Sequence, residues 1–181
     1  LTTIDGNQDG SVVLFLNQED ENAVLDGFTL TNGTGYDNGD EFVGGGIACR
    51  NGSSPTMKNL IITGNTALGG LDPAGGGITI AGGSNPFLEN IEISLNRSKW
   101  GGGLAIAINS NPILRSVFIY YNRATTTGGG VYIGVNSSPY FEDVYVRLNR
   151  AAYYGGGFFL HENSNPTFNK ITVRANTAPS G

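Results

Sequence analysis

The amino-acid sequence predicts an all-β solenoid, a right-handed parallel β-helix of about six rungs, each with 26–31 residues and three short strands. The prediction depends on three markers that recur in the same order, a glycine triplet, a proline and an asparagine. All three series keep the spacings 31, 26, 27 and 27. Self-similarity at such a period is typical of stacked structural repeats. The triplets begin at Gly44, Gly75, Gly101, Gly128 and Gly155, the prolines are Pro55, Pro86, Pro112, Pro139 and Pro166, and the asparagines are Asn65, Asn96, Asn122, Asn149 and Asn176.

Within each unit the apolar residues alternate with other residues, which is the period of a β-strand. In the first regular unit the three predicted strands contain Ile47 and Cys49, then Met57, then Leu60 and Ile62. An earlier and less regular unit fits around Leu14, Leu16, Leu25, Phe28 and Leu30. No pattern of period 3.6 runs long enough for a helix. The corresponding positions of the later units are Ile78, Ile80, Leu88, Ile91 and Ile93; Leu104, Ile106, Leu114, Val117 and Ile119; Val131, Ile133, Phe141, Val144 and Val146; and Phe158, Leu160, Phe168, Ile171 and Val173.

The residues between the predicted strands have physical roles at the corners of the solenoid. The glycine triplet is expected to supply positive φ and close backbone packing. The recurring asparagine is expected to hydrogen-bond to its copies in the rungs above and below. A proline at the entrance of a strand removes no hydrogen bond that the sheet needs. Recurring serines form a second predicted polar ladder, made of Ser53, Ser84, Ser110, Ser137 and Ser164.

One outward position carries charges that alternate in sign from rung to rung. Like charges on neighbouring strands destabilise a sheet, whereas opposite charges stabilise it. We therefore interpret this row as structural and not as catalytic. Its members are Asp26, Lys58, Glu89, Arg115, Glu142 and Asn169.

The connections between the asparagine and the next glycine triplet vary in length. Residues 34–43 and 66–74 are long, whereas residues 97–100, 123–127 and 150–154 are short. Insertions at one corner of a repeat array often form its binding face. Carboxylate oxygens on two adjacent loops favour Ca²⁺, the only cofactor that the sequence suggests, and a solvated acidic loop pair is the alternative. The candidate ligands are Asp37, Asp40, Glu41 and Asp72.

Three other features favour structural roles. The segment Asp5–Gly10 resembles the opening of a calcium loop, but Leu16 stands where such a loop needs glutamate, which favours a plain turn. The single histidine, His161, follows an inward position and is expected in a solvated turn. The single cysteine, Cys49, lies in an alternating apolar segment and is expected to be a small buried hydrophobic residue.

The repeated form GGG-I-x-I…S-N-P-x-L-x-N-x-x-I-x-x-N-x-A, preceded by IDGNQDGSVV and LDGFTLTNG, spans nearly the whole chain. It resembles the right-handed parallel β-helix repeat family, which has the pectate-lyase-like superfamily fold. That family includes polysaccharide lyases, glycoside hydrolases, phage tailspikes, adhesins and bacterial surface proteins. The resemblance therefore implies the fold and does not choose an activity.

The outward rows of the third strands hold no complete catalytic set. A pectate-lyase-like site would need clustered acids and a basic residue, but Glu92 is the only acid in these rows. Arg147 and Arg174 have no matching acid cluster there. Glycosidase chemistry needs two opposed carboxylates. We therefore predict no catalytic residues within this chain.

Aromatic residues are the stronger candidates for ligand contact. Exposed aromatic rows bind sugar rings or protein partners, and the alternative is that loops or a neighbouring domain cover them. The candidate ligand-binding residues are Trp100, Tyr120, Tyr132, Tyr145, Arg147, Tyr154 and Phe159.

Composition limits the class of protein. The chain has 181 residues and a net charge of −5, and its few basic residues are scattered, which argues against nucleic-acid binding. No apolar run reaches the length of a membrane span. The chain begins at Leu1 without an initiator methionine, so we expect residues 1–181 to be one β-helix domain of a larger protein.

Two functions remain open at this stage. The first is a non-catalytic scaffold or binding segment of a secreted or cell-surface protein, which contacts polysaccharide or another protein segment. The alternative is a carbohydrate-active enzyme, a lyase or hydrolase, whose missing residues lie outside residues 1–181. In either case we expect the open ends of the solenoid to continue into further rungs or to stack on another copy.

Overall fold

A computed structural model describes residues 1–35, 43–69 and 73–180, and they form three parallel sheets wound around one core. The six-stranded sheet contains β2 (Val13–Phe15), β5 (Ile47–Cys49), β8 (Ile78–Ile80), β11 (Leu104–Ile106), β14 (Val131–Ile133) and β17 (Phe158–Leu160). The eight-stranded sheet contains β1 (Thr2–Asp5), β3 (Val24–Asp26), β4 (Phe28–Thr31), β6 (Thr56–Thr63), β9 (Phe87–Ser94), β12 (Ile113–Tyr120), β15 (Tyr140–Arg147) and β18 (Thr167–Arg174). The four-stranded sheet contains β7 (Thr66–Ala67), β10 (Arg97–Trp100), β13 (Arg123–Thr127) and β16 (Arg150–Ala151).

Each full rung takes one strand from each sheet, as in β8, β9 and β10. Every strand pairs in parallel with its counterpart one rung away, for example Leu104 with Ile78 and Val131. The predicted right-handed parallel β-helix, with about six rungs and three strands per full rung, is confirmed. Since parallel neighbours need a crossover connection, the rest of each rung supplies that crossover.

The rung is divided differently from the sequence prediction. The two predicted strands after the proline are one eight-residue strand, and its fourth residue has positive φ, as at Asn59 (φ 50°). This residue re-phases the alternation, so that Met57 and Leu60, three positions apart, are both buried. The third strand instead comes from the segment after the corner asparagine, which the sequence analysis assigned to a connection. Its lack of apolar alternation, as in Arg97–Trp100, concealed it.

The core is a stack of aliphatic layers between the three sheets. Ile93, Ile119 and Val146 occupy one position in successive rungs of the eight-stranded sheet, and all three are fully buried. From the six-stranded sheet, Ile80 and Ile106 contribute buried side chains in the same way. Burying a side chain of this size stabilises the fold by about 1.5–3 kcal/mol. The predicted inward positions of the middle rungs are thus confirmed. In the first unit the prediction is wrong by one residue, because Val13 and Phe15, and not Leu14, pair with Ile47 and Cys49 and pack against the core.

The predicted asparagine ladder is present inside the corner between the eight- and four-stranded sheets. Asn122 Nδ2 donates to Asn149 Oδ1 at 3.0 Å and to the Ile93 carbonyl at 2.9 Å. Its backbone N–H also donates to Asn149 Oδ1, at 2.9 Å. Equivalent bonds connect the five asparagines from Asn65 to Asn176. Because buried polar groups are costly when unpaired, this pattern holds the rungs in one register.

The glycine triplets allow the chain to pass close to this corner. Gly101 has φ 59°, a conformation that favours glycine. A Cβ on Gly102 would lie 2.5 Å from the Arg123 carbonyl carbon, and a Cβ on Gly103 would lie 2.9 Å from Asn122 Nδ2. Both approaches are too close for a side chain. The predicted roles of the triplet, positive φ and close backbone packing, are therefore confirmed.

The alternating charge row also has the predicted register. Lys58 pairs with Glu89, and Arg115 lies between Glu89 and Glu142. Arg115 Nε donates to Glu142 Oε2 at 2.8 Å. Three of the five predicted serines form a ladder, since the Ser84 N–H donates to Ser110 Oγ and the Ser110 N–H donates to Ser137 Oγ, both at 3.2 Å. The Ser53 hydroxyl bonds to Glu19 and the Ser164 hydroxyl to backbone carbonyls instead.

Candidate functional site

The outer face of the eight-stranded sheet carries two rows of side chains in register. The rows were predicted from the sequence, and the strand pairing confirms them. The first row is Ile61, Glu92, Phe118, Tyr145 and Thr172, and the second is Thr63, Ser94, Tyr120, Arg147 and Arg174.

An exposed pair of stacked rings lies in the middle of the first row. The ring centroids of Phe118 and Tyr145 are 5.0 Å apart and the ring planes differ by 4°. The two residues are 43% and 37% exposed, which is unusual for rings of this size. In the next rung Thr172 takes the place of a ring. The stack therefore ends at Tyr145, and the outer face of that ring stays open.

A cavity of about 400 Å³ opens at that end of the ring pair. It is lined by Tyr145, Arg147, Leu148, Thr172, Arg174 and Ala175. The two arginines pair in register, so their guanidinium groups border the same space as the Tyr145 ring. Among the residues that the structure describes, neither arginine forms a salt bridge. The cavity thus combines one open aromatic face with two cations that are available to a ligand.

A polar cluster adjoins the cavity in the second row. The Tyr120 hydroxyl donates a short hydrogen bond to Glu92 Oε1, and the Arg147 guanidinium lies 5.5 Å from the centroid of the Tyr120 ring. Burial, and then the hydrogen bond to Glu92, raises the pKa of Tyr120. The sequence analysis missed this cluster because it compared residues along each row. Glu92 and Tyr120 are diagonal neighbours on adjacent strands, a relation that long side chains can bridge.

A second depression, of about 490 Å³, lies at the opposite end of the ring pair. Phe118, Glu92 and Ile61 contribute to its walls. The two cavities and the rings between them form a continuous strip on one face, which we call the ring strip. The ring strip contains Tyr120, Tyr145 and Arg147 from the set of candidate ligand-binding residues.

The remaining candidates gather over the six-stranded sheet, to which Tyr132 and Phe159 belong, whereas Trp100 ends β10 of the four-stranded sheet. Trp100 and Phe159 stack on opposite sides of Tyr132, at 5.8 Å and 17° and at 6.0 Å and 14°. Tyr132 is only 6% exposed, and small residues such as Ala105 pack beside it. Its ring is therefore part of an aromatic layer that covers this sheet, and ligand binding by these residues stays a prediction. Tyr154, at 6.3 Å from Phe159, remains exposed at the edge of this stack.

His161 lies beside the same stack, in the predicted exposed turn. Its ring stacks on Phe159 at 6.0 Å, and its Nδ1 is 3.5 Å from the Tyr132 hydroxyl. Cys49 is fully buried, and burial raises the pKa of its thiol to about 12. A thiol with so high a pKa is a poor nucleophile at neutral pH.

The candidate calcium ligands Asp37, Asp40, Glu41 and Asp72 lie outside the described residues, and calcium binding by them stays a prediction. Elsewhere, no group of three or more His, Cys, Asp or Glu side chains is placed to hold a metal within residues 1–35, 43–69 and 73–180.

The Asp5–Gly10 segment forms a turn. The Asp5 carboxylate accepts hydrogen bonds from the Asn7 N–H at 2.8 Å and from Asn32 Nδ2 at 3.0 Å. The bond from Asn7 lies within the turn, and the bond from Asn32 links the turn to the next rung. The Asp5 carboxylate therefore has hydrogen-bond partners within the protein, as in a plain turn.

The strand order, the asparagine ladder and the outer ring strip define a parallel β-solenoid repeat protein. Within the described part of the chain, no helix is long and apolar enough to cross a membrane. The chain belongs to the right-handed β-helix family, because the family model described as the right handed beta helix region matches residues 3–180. No curated protein and no solved structure matches the chain.

Proposed function

We propose that this chain is a non-catalytic β-helix scaffold of a secreted or cell-surface protein and that its ring strip contacts polysaccharide. The observation that supports this most is the cavity bordered by the open face of Tyr145 and by Arg147 and Arg174. Sugar rings pack their apolar faces on aromatic rings. Guanidinium groups donate several N–H bonds in a fixed geometry, which suits hydroxyl and carboxylate acceptors.

Among the described residues, Glu92 is the one acid that lines either cavity of the ring strip, which supports a binding role over catalysis. Glu92 pairs in register with Phe118, and its Oε1 already accepts a bond from Tyr120. Hydrolysis of a glycosidic bond uses two carboxyl groups on opposite sides of that bond. The proposal therefore assigns Glu92 to holding Tyr120 in place below Arg147.

A carbohydrate-active enzyme is the second candidate. The specific observation in its favour is the contact between Tyr120, Glu92 and Arg147, since such groups can transfer protons. Release of unsaturated or reducing-end products from polygalacturonate or alginate, measured with and without Ca²⁺, separates the two candidates. Product formation that stops in Tyr120→Phe would establish the enzyme and overturn the scaffold.

The binding role is tested with Tyr145→Ala. The ligand is an oligosaccharide that the unmodified chain binds. We expect the variant to bind it at least about tenfold more weakly, because the variant loses the ring face of the cavity. Tyr153→Ala is the matched control, since Tyr153 is equally a surface tyrosine but lies outside the ring strip. A glycan array identifies the oligosaccharide, and calorimetry measures the affinities. Equal affinities of the two variants would contradict the proposed site.

The proposal extends to partners along the rod axis. Leu160, Phe168 and Val173 in the last described rung are large apolar residues with exposed side chains. A further rung would cover them with the same backbone pairing that joins the inner rungs. We propose that a further β-helix rung, from the same polypeptide or from a second copy, packs there.

A further inference from the structure

Three arginines occupy the first position of successive strands in the four-stranded sheet. Arg97 pairs in register with Arg123, and Arg123 pairs with Arg150. All three are exposed. Neighbouring strands lie about 4.8 Å apart, so the three positions span roughly 10 Å along the rod axis. Thr66 and Thr177 hold the same position one rung before and one rung after, which gives this arginine row two defined ends.

The arginine row differs from the other charge row of the same molecule. On the eight-stranded sheet Arg115 lies between Glu89 and Glu142, so signs alternate. In the arginine row all three charges are positive, although like charges on neighbouring strands destabilise a sheet. None of the three arginines forms a salt bridge within residues 1–35, 43–69 and 73–180. This arrangement is stabilised when a ligand supplies the negative charges.

The backbone holds the arginine row at a fixed spacing. The N–H groups of Arg97, Arg123 and Arg150 donate to the carbonyls of the corner asparagines one rung earlier, each at 2.9 Å. Behind the row, the middle glycine of each triplet approaches the backbone of the arginine in its own rung, as Gly102 does at Arg123. The backbone positions of the three arginines are therefore fixed before a ligand binds, and only their side chains become ordered on binding.

Two further arginines surround the same corner. Arg147 and Arg174 are the last residues of β15 and β18, so they lie just before the corner between the eight- and four-stranded sheets. Arg150 begins β16 just after that corner. Five of the ten basic residues thus gather at one corner of a chain whose net charge is −5. That net charge disfavours nucleic acid, which needs a broadly positive surface. Carboxylate and sulfate groups instead match the paired N–H donors of single guanidinium groups.

We propose that the arginine row binds an acidic polysaccharide that runs along the rod axis, with successive carboxylate or sulfate groups on Arg97, Arg123 and Arg150. This surface belongs to a different sheet from the ring strip. Its ligand is held by charge alone, whereas the ring strip adds the open face of Tyr145 to the charges of Arg147 and Arg174. Because Tyr145→Ala removes that ring face and leaves Arg97, Arg123 and Arg150 in place, the two sites can be tested separately.

The test compares two triple variants, each of which loses three positive charges. The first is Arg97→Gln with Arg123→Gln and Arg150→Gln. The control is Lys58→Gln with Arg115→Gln and Lys170→Gln, which lie on the eight-stranded sheet. Binding of polygalacturonate oligomers is measured by calorimetry in chelator, so that calcium bridges play no part. Neutral dextran, oligodeoxythymidylate and polyglutamate serve as comparison ligands.

We expect the arginine-row variant to bind polygalacturonate at least about tenfold more weakly, and the control to change less than about threefold. Affinity of the unmodified chain should fall as salt rises, since the contacts are ionic. Equal losses in both variants would mean that only net charge matters, and would overturn the site. Tighter binding of oligodeoxythymidylate or polyglutamate than of polygalacturonate would overturn the ligand class.

A single charge reversal gives a second test that does not depend on a triple variant folding. Arg123→Glu makes the arginine row alternate in sign, as the row containing Arg115 already does. We expect a higher melting temperature together with loss of polygalacturonate binding. Tyr145→Ala should leave this binding within about twofold. A melting temperature that falls in Arg123→Glu would contradict the repulsion on which the proposal depends.

Discussion

Each buried asparagine of the ladder satisfies its polar groups mainly with neighbouring rungs. Asn122 donates to Asn149 and to backbone carbonyls, and its Oδ1 accepts both the N–H and the Nδ2 of Asn96. The net value of one such bond is about 0.5–1.5 kcal/mol, but an unpaired partner left in the core costs more. The ladder therefore selects the register mainly by the cost of a mismatch.

The Glu19 carboxylate accepts a hydrogen bond from Ser53, and its charge makes the stability depend on pH. Ser53 Oγ donates to Glu19 Oε2 at 2.7 Å, and this bond lowers the pKa of Glu19 below its ordinary value of 4.5. Because the folded pKa is lower than the unfolded one, the stabilisation is present above about pH 4.5 and is lost as the pH falls through the folded value. Glu19→Gln keeps the acceptor and removes this titration.

We therefore expect Glu19→Gln to melt at a lower temperature than the unmodified chain at pH 7, and the difference to shrink at pH 3. Thermal unfolding followed by circular dichroism at both pH values measures it. A difference of the same size at pH 7 and at pH 3 would show that the Glu19 charge does not contribute.

At the scale of elements, the sequence predicts what depends on apolar alternation and misses what does not. The six-stranded sheet and both halves of strands such as β12 followed from residues like Ile106 and Ile119. The four-stranded sheet could not be predicted, because strands such as Arg97–Trp100 are held by backbone bonds and have no apolar period. For the same reason the arginine row could not be predicted, because the sheet that aligns its three residues was not recognised from the sequence.

The register of β12 is tested by two isoleucines in the same strand. Ile119 is fully buried between Ile93 and Val146, whereas Ile113 is 44% exposed on the outer face. Ile119→Ala should lower the free energy of unfolding by about 2–5 kcal/mol, because it leaves a cavity. Ile113→Ala should change it by about 1 kcal/mol or less. Denaturant unfolding gives both values, and similar losses would mean that the strand faces are assigned wrongly.

At the scale of the whole molecule, the ring strip lies on the eight-stranded sheet, the aromatic stack covers the six-stranded sheet and the arginine row lies on the four-stranded sheet, which also supplies Trp100 to the stack. The sequence analysis named residues of the first two surfaces but could not group them. Tyr120 and Tyr132, both candidate ligand-binding residues, lie on different faces of the rod. Assigning them to separate faces requires the corner geometry, and that geometry comes from residues with positive φ such as Leu95 and Tyr121.

The remaining prediction at this scale is that the two long connections bind Ca²⁺. Residues 33 and 65–66, at the start of the two long connections, belong to adjacent rungs, since the Gly33 N–H donates to Asn65 Oδ1 at 2.9 Å and the Thr66 N–H donates to the Gly33 carbonyl at 2.8 Å. If Asp37, Asp40, Glu41 and Asp72 bind Ca²⁺, the ion should raise the melting temperature, because it stabilises the folded state alone. The rise should vanish when Asp40→Asn and Asp72→Asn are combined. Identical melting curves in chelator and in Ca²⁺ would exclude the site.

The asparagine ladder also has a consequence for how the chain folds. Its bonds join residues 31, 26, 27 and 27 positions apart, so every rung closes a loop of similar and modest length. The entropy of loop closure depends on that length and not on the length of the rod. Once two rungs have formed, each later rung is added to an existing template, as in the growth of a one-dimensional crystal. Folding time should therefore rise only in proportion to the number of rungs, and a slow step should occur once, when the first pair forms.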